Sequence, residues 1–238
     1  MTASSWERTE SDNSAMPLHV SRPDGAGPFP AVVVIQHQGG VDEFVQNMTR
    51  RLADAGYLAA APDLYHRDGP DCKDDIVTRR SRLADRRIVN DLNASVRFLQ
   101  NHGSVAPGRI GIVGFCMGGR VVYLAAATVP AFQAAVAYYP GNSFRAWGRD
   151  LPSPFERSAE IHCPLQGHFG AEDKNPSPED MAKLDAELTR FQKPHEFYSY
   201  AGAGHGFMDS TKESYRRAAD EASWPRTLEF LARHLGAP

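Results

Sequence analysis

The sequence predicts an α/β fold in which a mostly parallel central sheet carries helices on both faces. Short runs rich in valine and isoleucine, such as 31–36, alternate with longer segments of helical spacing, such as 42–55. The apolar runs are continuous rather than alternating, which is typical of strands buried on both faces of a parallel sheet. The chain has the length of one domain, and we expect residues 1–238 to form a single unit.

The first half of the chain supplies two predicted strands and one helix. A Pro-Phe-Pro sequence precedes the strand at 31–36, and the helix at 42–55 has apolar residues spaced three and four apart. Gly56 ends that helix. A second strand follows at 57–61 and is closed by Pro-Asp. The polar segment 64–75 contains glycine and proline, which indicates a loop above the sheet.

The second half repeats the alternation of helix and strand. The stretch 76–101 has helical spacing, 109–114 is a buried strand, and 116–127 is an alanine-rich helix suited to close packing. The polar segment 141–158 is a predicted lid or loop. The other predicted elements are strands at 134–139, 163–170 and 195–200 and a C-terminal helix or helix pair at 212–235, interrupted near Pro225.

Composition and charge are those of an ordinary globular protein, with 42% hydrophobic residues and a formal net charge of -3. This charge argues against nucleic acid and against an acidic membrane surface as partners. No apolar run approaches the ~18 residues of a membrane span. The polar start of the chain lacks the features of a signal peptide, so we expect a cytoplasmic protein. The three cysteines lack the CxxC spacing of a zinc site.

The sequence Gly114-Phe115-Cys116-Met117-Gly118 carries the sharpest chemical signal. It joins a predicted strand directly to a predicted helix and matches the nucleophile-elbow pattern G-x-S-x-G, with Cys in place of Ser. Glycines are needed on either side because a side chain there would collide with neighbouring backbone. The turn lifts Cys116 clear of the sheet at the positive end of a helix, which favours a thiolate. The alternative is an inert buried cysteine in a glycine-rich turn.

Asp173 and His205 follow Cys116 in the order nucleophile, acid, base that is typical of this elbow. Each comes just after the carboxyl end of a predicted strand, where open α/β sheets build their sites. We expect Asp173 to accept a hydrogen bond from one nitrogen of His205, while the other nitrogen faces the sulfur. The alternatives are a helix-capping carboxylate and a loop histidine without a partner. Because all three residues occur in this order, each after a predicted strand, the sequence favours a Cys-His-Asp triad.

Two backbone N–H groups are candidates for the oxyanion hole. Met117 follows the nucleophile, and Gln38 lies in the loop 36–40, which supplies the second donor in this type of site. A simple strand-to-helix turn is the alternative for that loop. The histidines lack the acidic neighbours of a metal site, so no metal is predicted. The candidates for an apolar substrate pocket are Phe115, Tyr139 and Phe207.

These motifs resemble the dienelactone hydrolase (carboxymethylenebutenolidase) family of the α/β-hydrolase superfamily. The resemblance runs roughly from Pro28 to the C-terminal helix, and the elbow with Cys is fairly specific, since most α/β-hydrolases use Ser. It implies the α/β-hydrolase fold and a cofactor-free enzyme, a monomer or small homo-oligomer, that hydrolyses small esters or lactones through a thioester. Supporting marks are Pro-Asp-Leu-Tyr at 62–65, Tyr138-Tyr139, the Gly-x-x-Asp that ends at Asp173 and Gly-His-Gly-Phe at 204–207.

Two positions depart from the family pattern. The best-known members carry, on the first strand loop, a Glu that helps to activate the thiol, and the matching residue here is His37. His37 is a candidate partner for Cys116, and the alternative is a ring that only packs under the loop. Those members also hold an anionic dienelactone with arginines, one of them at the position of Asp209. A carboxylate at that position would repel an anionic substrate and lower its affinity. The arginine-rich stretch 79–87 could bind the substrate carboxylate instead, and the alternative is that it is a solvated helix face.

Three functions are compatible with these residues. The first is a thiol-dependent hydrolase of a small ester or lactone, with Cys116, His205 and Asp173 as its triad. The second keeps the fold and changes the chemistry, as in an acyltransferase or peptidase of the same superfamily. The third is a binding protein on a hydrolase scaffold, with an unreactive cysteine. The complete triad favours the first, and a small-molecule ester or lactone is then the expected partner.

Overall fold

The computed structural model describes residues 2–69 and 71–237. No helix within these residues has the length and apolar character needed to cross a membrane. The strands are β1 (Ala3–Ser11), β2 (Ser14–Arg22), β3 (Phe29–Ile35), β4 (Leu58–Pro62), β5 (Val105–Phe115), β6 (Ala134–Tyr138), β7 (Leu165–Gly170) and β8 (His195–Tyr200). The helices are α1 (Glu43–Asp54), α2 (Ile76–Ser81), α3 (Asp85–Gln100), α4 (Met117–Thr128), α5 (Pro178–Arg190) and α6 (Arg217–Leu235), and 3-10 segments lie at His66–Asp68 and Phe155–Glu160.

The strands form one sheet in the order β1-β2-β4-β3-β5-β6-β7-β8. All pairings from β4 to β8 are parallel, and β2 joins β4 antiparallel. The predicted α/β fold with a mostly parallel sheet is therefore confirmed. The carboxyl ends of β3, β5, β7 and β8 lie at one edge, so polar side chains that follow these strands are brought close together.

Alternate residues of β3 face two separate apolar layers, because successive side chains of a strand point to opposite faces. Val33 belongs to the layer that includes residues of α3, α4 and α5, whereas Val32 belongs to the layer that includes residues of α1 and α6. Neither valine is exposed at all. Helices thus cover both faces, as predicted, and the packed layers hold the strand ends in a fixed arrangement.

Three helical segments differ from the prediction. The stretch 76–101 is two helices, α2 and α3, rather than one. The helix α5 is absent from the prediction, although Ser177 and Asp180 form a capping box at its start. The predicted interruption near Pro225 is wrong, since α6 continues through it. Pro225 has no N–H to donate to the carbonyl of Glu221, four residues earlier. Because Glu221 is exposed, water can solvate that carbonyl and the helix continues.

β1 and β2 form an antiparallel hairpin that the polar N-terminal sequence did not indicate. β1 is the edge strand of the sheet, and most of its side chains are exposed, so its composition is that of a solvated segment. Charged side chains on this edge also discourage pairing with another sheet. β2 in turn covers the open edge of β4.

Candidate active site

Cys116 stands at a sharp turn between β5 and α4. Phe115 ends the strand and Met117 begins the helix, so Cys116 is the single link between them. Its backbone has φ 57° and ψ −115°, a conformation that costs about 1–3 kcal/mol and persists only where the surrounding packing enforces it. As the first helical residue, Met117 has a backbone N–H without an acceptor inside the helix. The turn therefore offers a side chain and an N–H donor at one point.

The turn requires glycine because three backbone segments meet there. A Cβ at Gly114 would lie 2.3 Å from the carbonyl oxygen of Gly118, and a Cβ at Gly118 would lie 2.3 Å from that of Ile35. A Cβ at Gly119 would lie 2.5 Å from the carbonyl oxygen of Tyr138. Any side chain at these positions would push α4 away from the sheet, and the position of the thiol depends on that contact.

Asp173 and His205 reach the same edge of the sheet from two neighbouring strands. Asp173 follows β7 and His205 follows β8. Nδ1 of His205 lies 2.9 Å from Oδ2 of Asp173, and Oδ1 of Asp173 accepts a hydrogen bond from the backbone N–H of Asn175 at 2.9 Å. The Asp173 side chain is 2% exposed. Cys116, Asp173 and His205 all line one cavity, so the three predicted triad residues are brought together.

The pKa of His205 is raised to about 10. Burial by itself would lower this pKa, and the hydrogen bond to Asp173 together with the nearby Cys116 outweighs that effect. An edge-on contact with Tyr139 holds the ring from a third side, with the ring centroids 5.0 Å apart. With this pKa, His205 keeps its proton at neutral pH.

A cavity of about 330 Å³ opens over these residues. We call it the reaction cavity. Met117 and Gln38 both line it, so both candidate oxyanion donors border the same space as Cys116. Gln38 is held from two directions: the Tyr65 hydroxyl donates to its carbonyl at 2.9 Å, and Arg80 donates to its side-chain oxygen at 2.9 Å. The candidate nucleophile, base, acid and oxyanion donors all border one cavity, an arrangement that suits acyl transfer.

The family model for dienelactone hydrolases matches residues 16–235 of this sequence. The chain belongs to that family. Among its relatives, a Bradyrhizobium protein assigned as a 2-oxo-3-(5-oxofuran-2-ylidene)propanoate lactonase is 30% identical over 237 residues, which cover 98% of this chain and 95% of that protein. A Salmonella typhimurium protein assigned as a carboxymethylenebutenolidase is 34% identical over 233 residues, which cover 95% of this chain and 86% of that protein.

The fold of this dienelactone hydrolase has a similar counterpart among crystal structures. A protein from Klebsiella pneumoniae assigned as a dienelactone hydrolase superposes with a TM-score of 0.89 at 31% identity, and the match covers 98% of this chain and 99% of that chain. Together with the family match, these relatives show that the chain is an α/β-hydrolase that acts on esters or lactones.

His37, at the position of the Glu in the best-known dienelactone hydrolases, is bonded to Asp42 rather than to Cys116. Its Nε2 lies 2.8 Å from Oδ2 of Asp42, and its ring packs edge-on against Phe44. It is not among the described residues that line the reaction cavity. His37 thus has a different partner from the predicted one, because the carboxylate that caps α1 attracts it. The bond braces the loop that carries Gln38.

The predicted pocket residues Phe115, Tyr139 and Phe207 are not among the described residues that line the reaction cavity. All three are at most 1% exposed and lie in the apolar layer between the sheet and the helices α1 and α6. Phe115 stacks on Tyr138, and Tyr139 meets Phe207 edge-on. Large aromatic side chains at strand ends gain more from this packing than from bordering a polar cavity. The aromatic wall of the cavity is Trp147.

Two cations, Arg80 and Lys174, border the reaction cavity of this dienelactone hydrolase. Arg80 belongs to the arginine-rich stretch of the sequence, whereas nothing in the sequence indicated Lys174, which lies in a loop. Asp209 is not among the described lining residues, and it accepts hydrogen bonds from the backbone and hydroxyl of Thr211. The carboxylate in the cavity wall, Asp173, is paired with an imidazole. The cavity is therefore positive overall.

A buried ion pair lies beneath one wall of the cavity, the loop at 141–148, which we call the wall loop. Arg120 of α4 donates to both carboxylate oxygens of Asp85 at 2.6 and 2.9 Å, and both side chains are 0% exposed. The Arg120 guanidinium lies 3.9 Å from the centroid of Trp147, whose backbone N–H donates to Asp85 at 2.9 Å. Arg120 also donates to the carbonyl of Arg145 at 2.5 Å. The pair thus fastens the wall loop to α4.

The described residues contain no cluster of three or more His, Cys, Asp or Glu side chains placed to hold a metal ion.

Proposed function

We propose that this dienelactone hydrolase cleaves its ester or lactone through a thioester on Cys116. In this proposal His205 is the proton carrier and Asp173 the residue that orients it. One observation carries the proposal: His205, bonded to Asp173 through Nδ1, lines the same cavity as Cys116, and its pKa is raised to about 10. A histidine that keeps its proton beside a cysteine supports a thiolate nucleophile at neutral pH.

The first half of the proposed reaction transfers the acyl group to sulfur. The thiolate of Cys116 attacks the carbonyl carbon, and the carbonyl oxygen becomes an oxyanion near the backbone N–H groups of Met117 and Gln38. The bond between carbon and the ester oxygen then breaks. The leaving oxygen takes the proton from His205. In a lactone this oxygen stays attached to the acyl chain, because opening the ring releases no separate alcohol.

The second half consumes one water molecule. The neutral His205 accepts a proton from water while the water oxygen attacks the thioester carbonyl. The resulting intermediate expels the thiolate of Cys116 and releases the acid, so the imidazolium and the thiolate are restored. Asp173 stabilises the imidazolium and does not itself take the proton.

The charges around the reaction cavity favour an anionic substrate. Arg80 and Lys174 border the cavity, and neither is paired with a carboxylate of the described residues. The two lactones from which the relatives take their names are both unsaturated lactones with a carboxylate. A small unsaturated lactone whose carboxylate meets Arg80 and Lys174 is therefore the proposed substrate class.

Hydrolysis of p-nitrophenyl acetate tests the thioester mechanism. We expect Cys116→Ala to abolish the activity and Cys72→Ala, at a partly exposed thiol outside the cavity, to retain it. Mass spectrometry of wild-type protein quenched during turnover is expected to find the acetyl group on the peptide that contains Cys116. Iodoacetamide is expected to alkylate Cys116 faster than Cys72 near neutral pH.

Other results would favour one of the competing functions. Activity that survives in Cys116→Ala, or a Cys116 alkylated no faster than Cys72, contradicts the thioester mechanism and favours a binding protein on this scaffold. Transfer of the acetyl group to an added alcohol in preference to water would identify an acyltransferase.

A further inference from the structure

Tyr139 has a backbone conformation that is rare for an aromatic residue. It directly follows β6, and its φ is 37°, in the left-handed region that favours glycine. Two hydrogen bonds hold it there: its N–H donates to the carbonyl of His168 at 2.7 Å, and its carbonyl accepts from the N–H of Gly141 at 2.8 Å. Glycine would avoid this strain, so the side chain of Tyr139 must offset it through its own contacts.

The Tyr139 ring is fixed among other aromatic rings and lies against His205. It is 1% exposed. Its centroid lies 5.0 Å from that of Phe207 at an interplanar angle of 71°, and 6.1 Å from that of Tyr138 at 69°. It meets the imidazole of His205 edge-on, at 5.0 Å and 63°. Because edge-to-face pairs have a preferred geometry, this contact favours one orientation of the imidazole.

His205 needs a support of this kind because its own segment is rich in glycine. Gly204 and Gly206 flank it, and the φ of Gly206 is 75°. Glycine restricts the backbone least. The bond from Nδ1 to Asp173 fixes one atom of the imidazole and leaves rotation about that bond. The contact with Tyr139 supplies a second point, and two points set the plane of the ring.

The hydroxyl of Tyr139 stays protonated. Burial raises the pKa of this phenol well above its usual value, and the nearby Cys116 raises it further. A phenol that keeps its proton is neutral and does not act as a base. Tyr139 is also not among the described residues that line the reaction cavity. Its effect on His205 therefore comes from the ring, which a phenylalanine in its place would retain.

We propose that Tyr139 positions His205, and that its ring sets the plane in which the imidazole lies between Asp173 and the reaction cavity. Tyr139 is a positioning residue, because it reaches the reaction only through His205. The orientation of the imidazole decides whether Nε2 faces the reacting atoms, and a small misalignment of a proton carrier slows the chemical step. This inference rests on the proposed function, in which His205 carries the proton.

Two substitutions separate the rigid ring from the volume that it fills. Tyr139→Phe keeps the ring, whereas Tyr139→Met fills the space with a flexible chain. In hydrolysis of p-nitrophenyl acetate we expect Tyr139→Met to lower kcat about tenfold with little change in KM, because both acyl-transfer steps use His205. Tyr139→Phe is expected to stay within about twofold of the wild-type kcat. Equal losses in the two variants, or a wild-type kcat in Tyr139→Met, overturn the proposal.

Proton NMR of the His205 ring gives a readout that does not depend on turnover. The proton on Nδ1 exchanges slowly with water only while it stays bonded to Asp173. We expect its exchange to be faster in Tyr139→Met than in Tyr139→Phe or the wild type. In the wild type we also expect a nuclear Overhauser effect between the rings of Tyr139 and His205. Its absence contradicts the contact, even where Tyr139→Met fails to fold.

Phe230→Met is the matched control. Phe230 is also 1% exposed and lies in the same apolar layer as Tyr139, and its ring contacts His234 rather than His205. We expect Phe230→Met to lose stability in urea comparably to Tyr139→Met while it keeps the wild-type kcat and the slow exchange at Nδ1. If it lowers kcat and speeds exchange as Tyr139→Met does, general loosening of the layer is the cause and the positioning proposal is overturned.

The exchange measurement in a Cys116→Ala background separates this inference from the proposed function. If Cys116→Ala still hydrolyses p-nitrophenyl acetate, the thioester mechanism fails, and the comparison with and without Tyr139→Met still decides whether Tyr139 positions His205. If exchange at Nδ1 is the same in both proteins, the positioning role is contradicted and the thioester mechanism is unaffected.

Discussion

The proton on His205 is held by its neighbours Asp173 and Cys116, and the same interactions contribute to folding stability. The pKa of His205 is raised from 6.5 to about 10. Because the folded-state pKa lies above the unfolded one, this contribution is fully present below about pH 6.5 and is lost as the pH rises through about 10. The ring is 36% exposed, so solvent screens part of the effect.

Asp173→Asn is expected to lower the pKa of His205 and to lower kcat by about 10²- to 10⁴-fold, because the imidazolium loses its main partner. An NMR titration of His205 and steady-state kinetics measure the two effects. The variant's loss in free energy of unfolding is expected to be larger near pH 6 than near pH 10. Asp185→Asn is the control, since Asp185 contacts His195 outside the site. A His205 pKa unchanged in Asp173→Asn would contradict the triad.

His37 and Asp42 are bonded to each other in the loop region that carries Gln38, the proposed oxyanion donor. We expect His37→Ala and Asp42→Asn each to lower kcat by about tenfold with little change in KM, because an oxyanion donor acts mainly on the transition state. The rate of Cys116 alkylation is expected to stay at the wild-type value in His37→Ala. A marked fall in that rate would instead support His37 as a partner of the thiol.

The positions of Cys116, Asp173 and His205 were predictable because each follows the carboxyl end of a recognisable strand. Chain order and the geometry of a parallel sheet then bring them to one edge. Lys174 was not predictable as a cavity residue, because it lies in a loop. The conformation of a loop depends on contacts with residues distant in sequence, such as the contact of Trp147 with Arg120.

Among the helices, α3 and α4 are joined by a buried charge pair. Arg120 and Asp85 are both removed from water, and each depends on the other to offset the cost of burying its charge. The pair also holds the wall loop through Trp147 and Arg145. Stability and the shape of the reaction cavity are therefore coupled through two side chains that do not border it.

Arg120→Met is expected to destabilise the protein by about 3–5 kcal/mol, because it leaves the Asp85 carboxylate buried without its cationic partner. Adding Asp85→Leu is expected to recover part of that loss. Urea denaturation measures the stability, and KM for p-nitrophenyl acetate, which is expected to rise, measures the wall loop. Arg217→Met, at an exposed pair with Glu221, is expected to cost less than about 1 kcal/mol. Additive losses in the double variant would contradict the coupling.

The strands β3 and β5 were predictable because a strand buried on both faces has a continuous run of apolar residues. β1 was not, since an edge strand with exposed side chains looks like a polar terminus. The division between α2 and α3 was also missed. The first residue of α3 is Asp85, and its place is set by Arg120, 35 residues further along the chain.

At the scale of the molecule, the N-terminal hairpin is fastened to the helical layer by Asp91 of α3. Asp91 accepts hydrogen bonds from Ser11 at 2.6 Å and from Arg67 at 2.7 and 2.8 Å, and Arg67 also binds Asp12 at 2.7 Å. Burial would raise the pKa of Asp91, but the bonds to His66, Arg67 and Ser11 lower it below its usual value. One sheet runs from this hairpin to β8, which supports the proposal that residues 1–238 are one domain.

Asp91→Asn is expected to destabilise the protein at pH 7, because Arg67 loses its buried carboxylate partner. Since the pKa of Asp91 is lowered by folding, its contribution is present above about pH 4 and is lost as the pH falls through the folded-state value. The stability difference from wild type is therefore expected to shrink toward acid pH in urea denaturation. Asp54→Asn, at an exposed helix end, is the control. A difference that does not change with pH would contradict this role for Asp91.

Cys116 has no second cysteine beside it among the described residues of the reaction cavity, and this affects how the enzyme responds to oxidation. Cys163 is buried with its pKa raised to about 12 by burial, and neither Cys163 nor Cys72 lines the reaction cavity. A peroxide molecule that entered the cavity would convert the proposed thiolate to a sulfenic acid, and no thiol there could trap it as a disulfide. Further oxidation to the sulfinic acid would end activity permanently. The proposed sulfur nucleophile would therefore make the lifetime of this hydrolase depend on the oxidants around it, a sensitivity that a serine in the same place would not have.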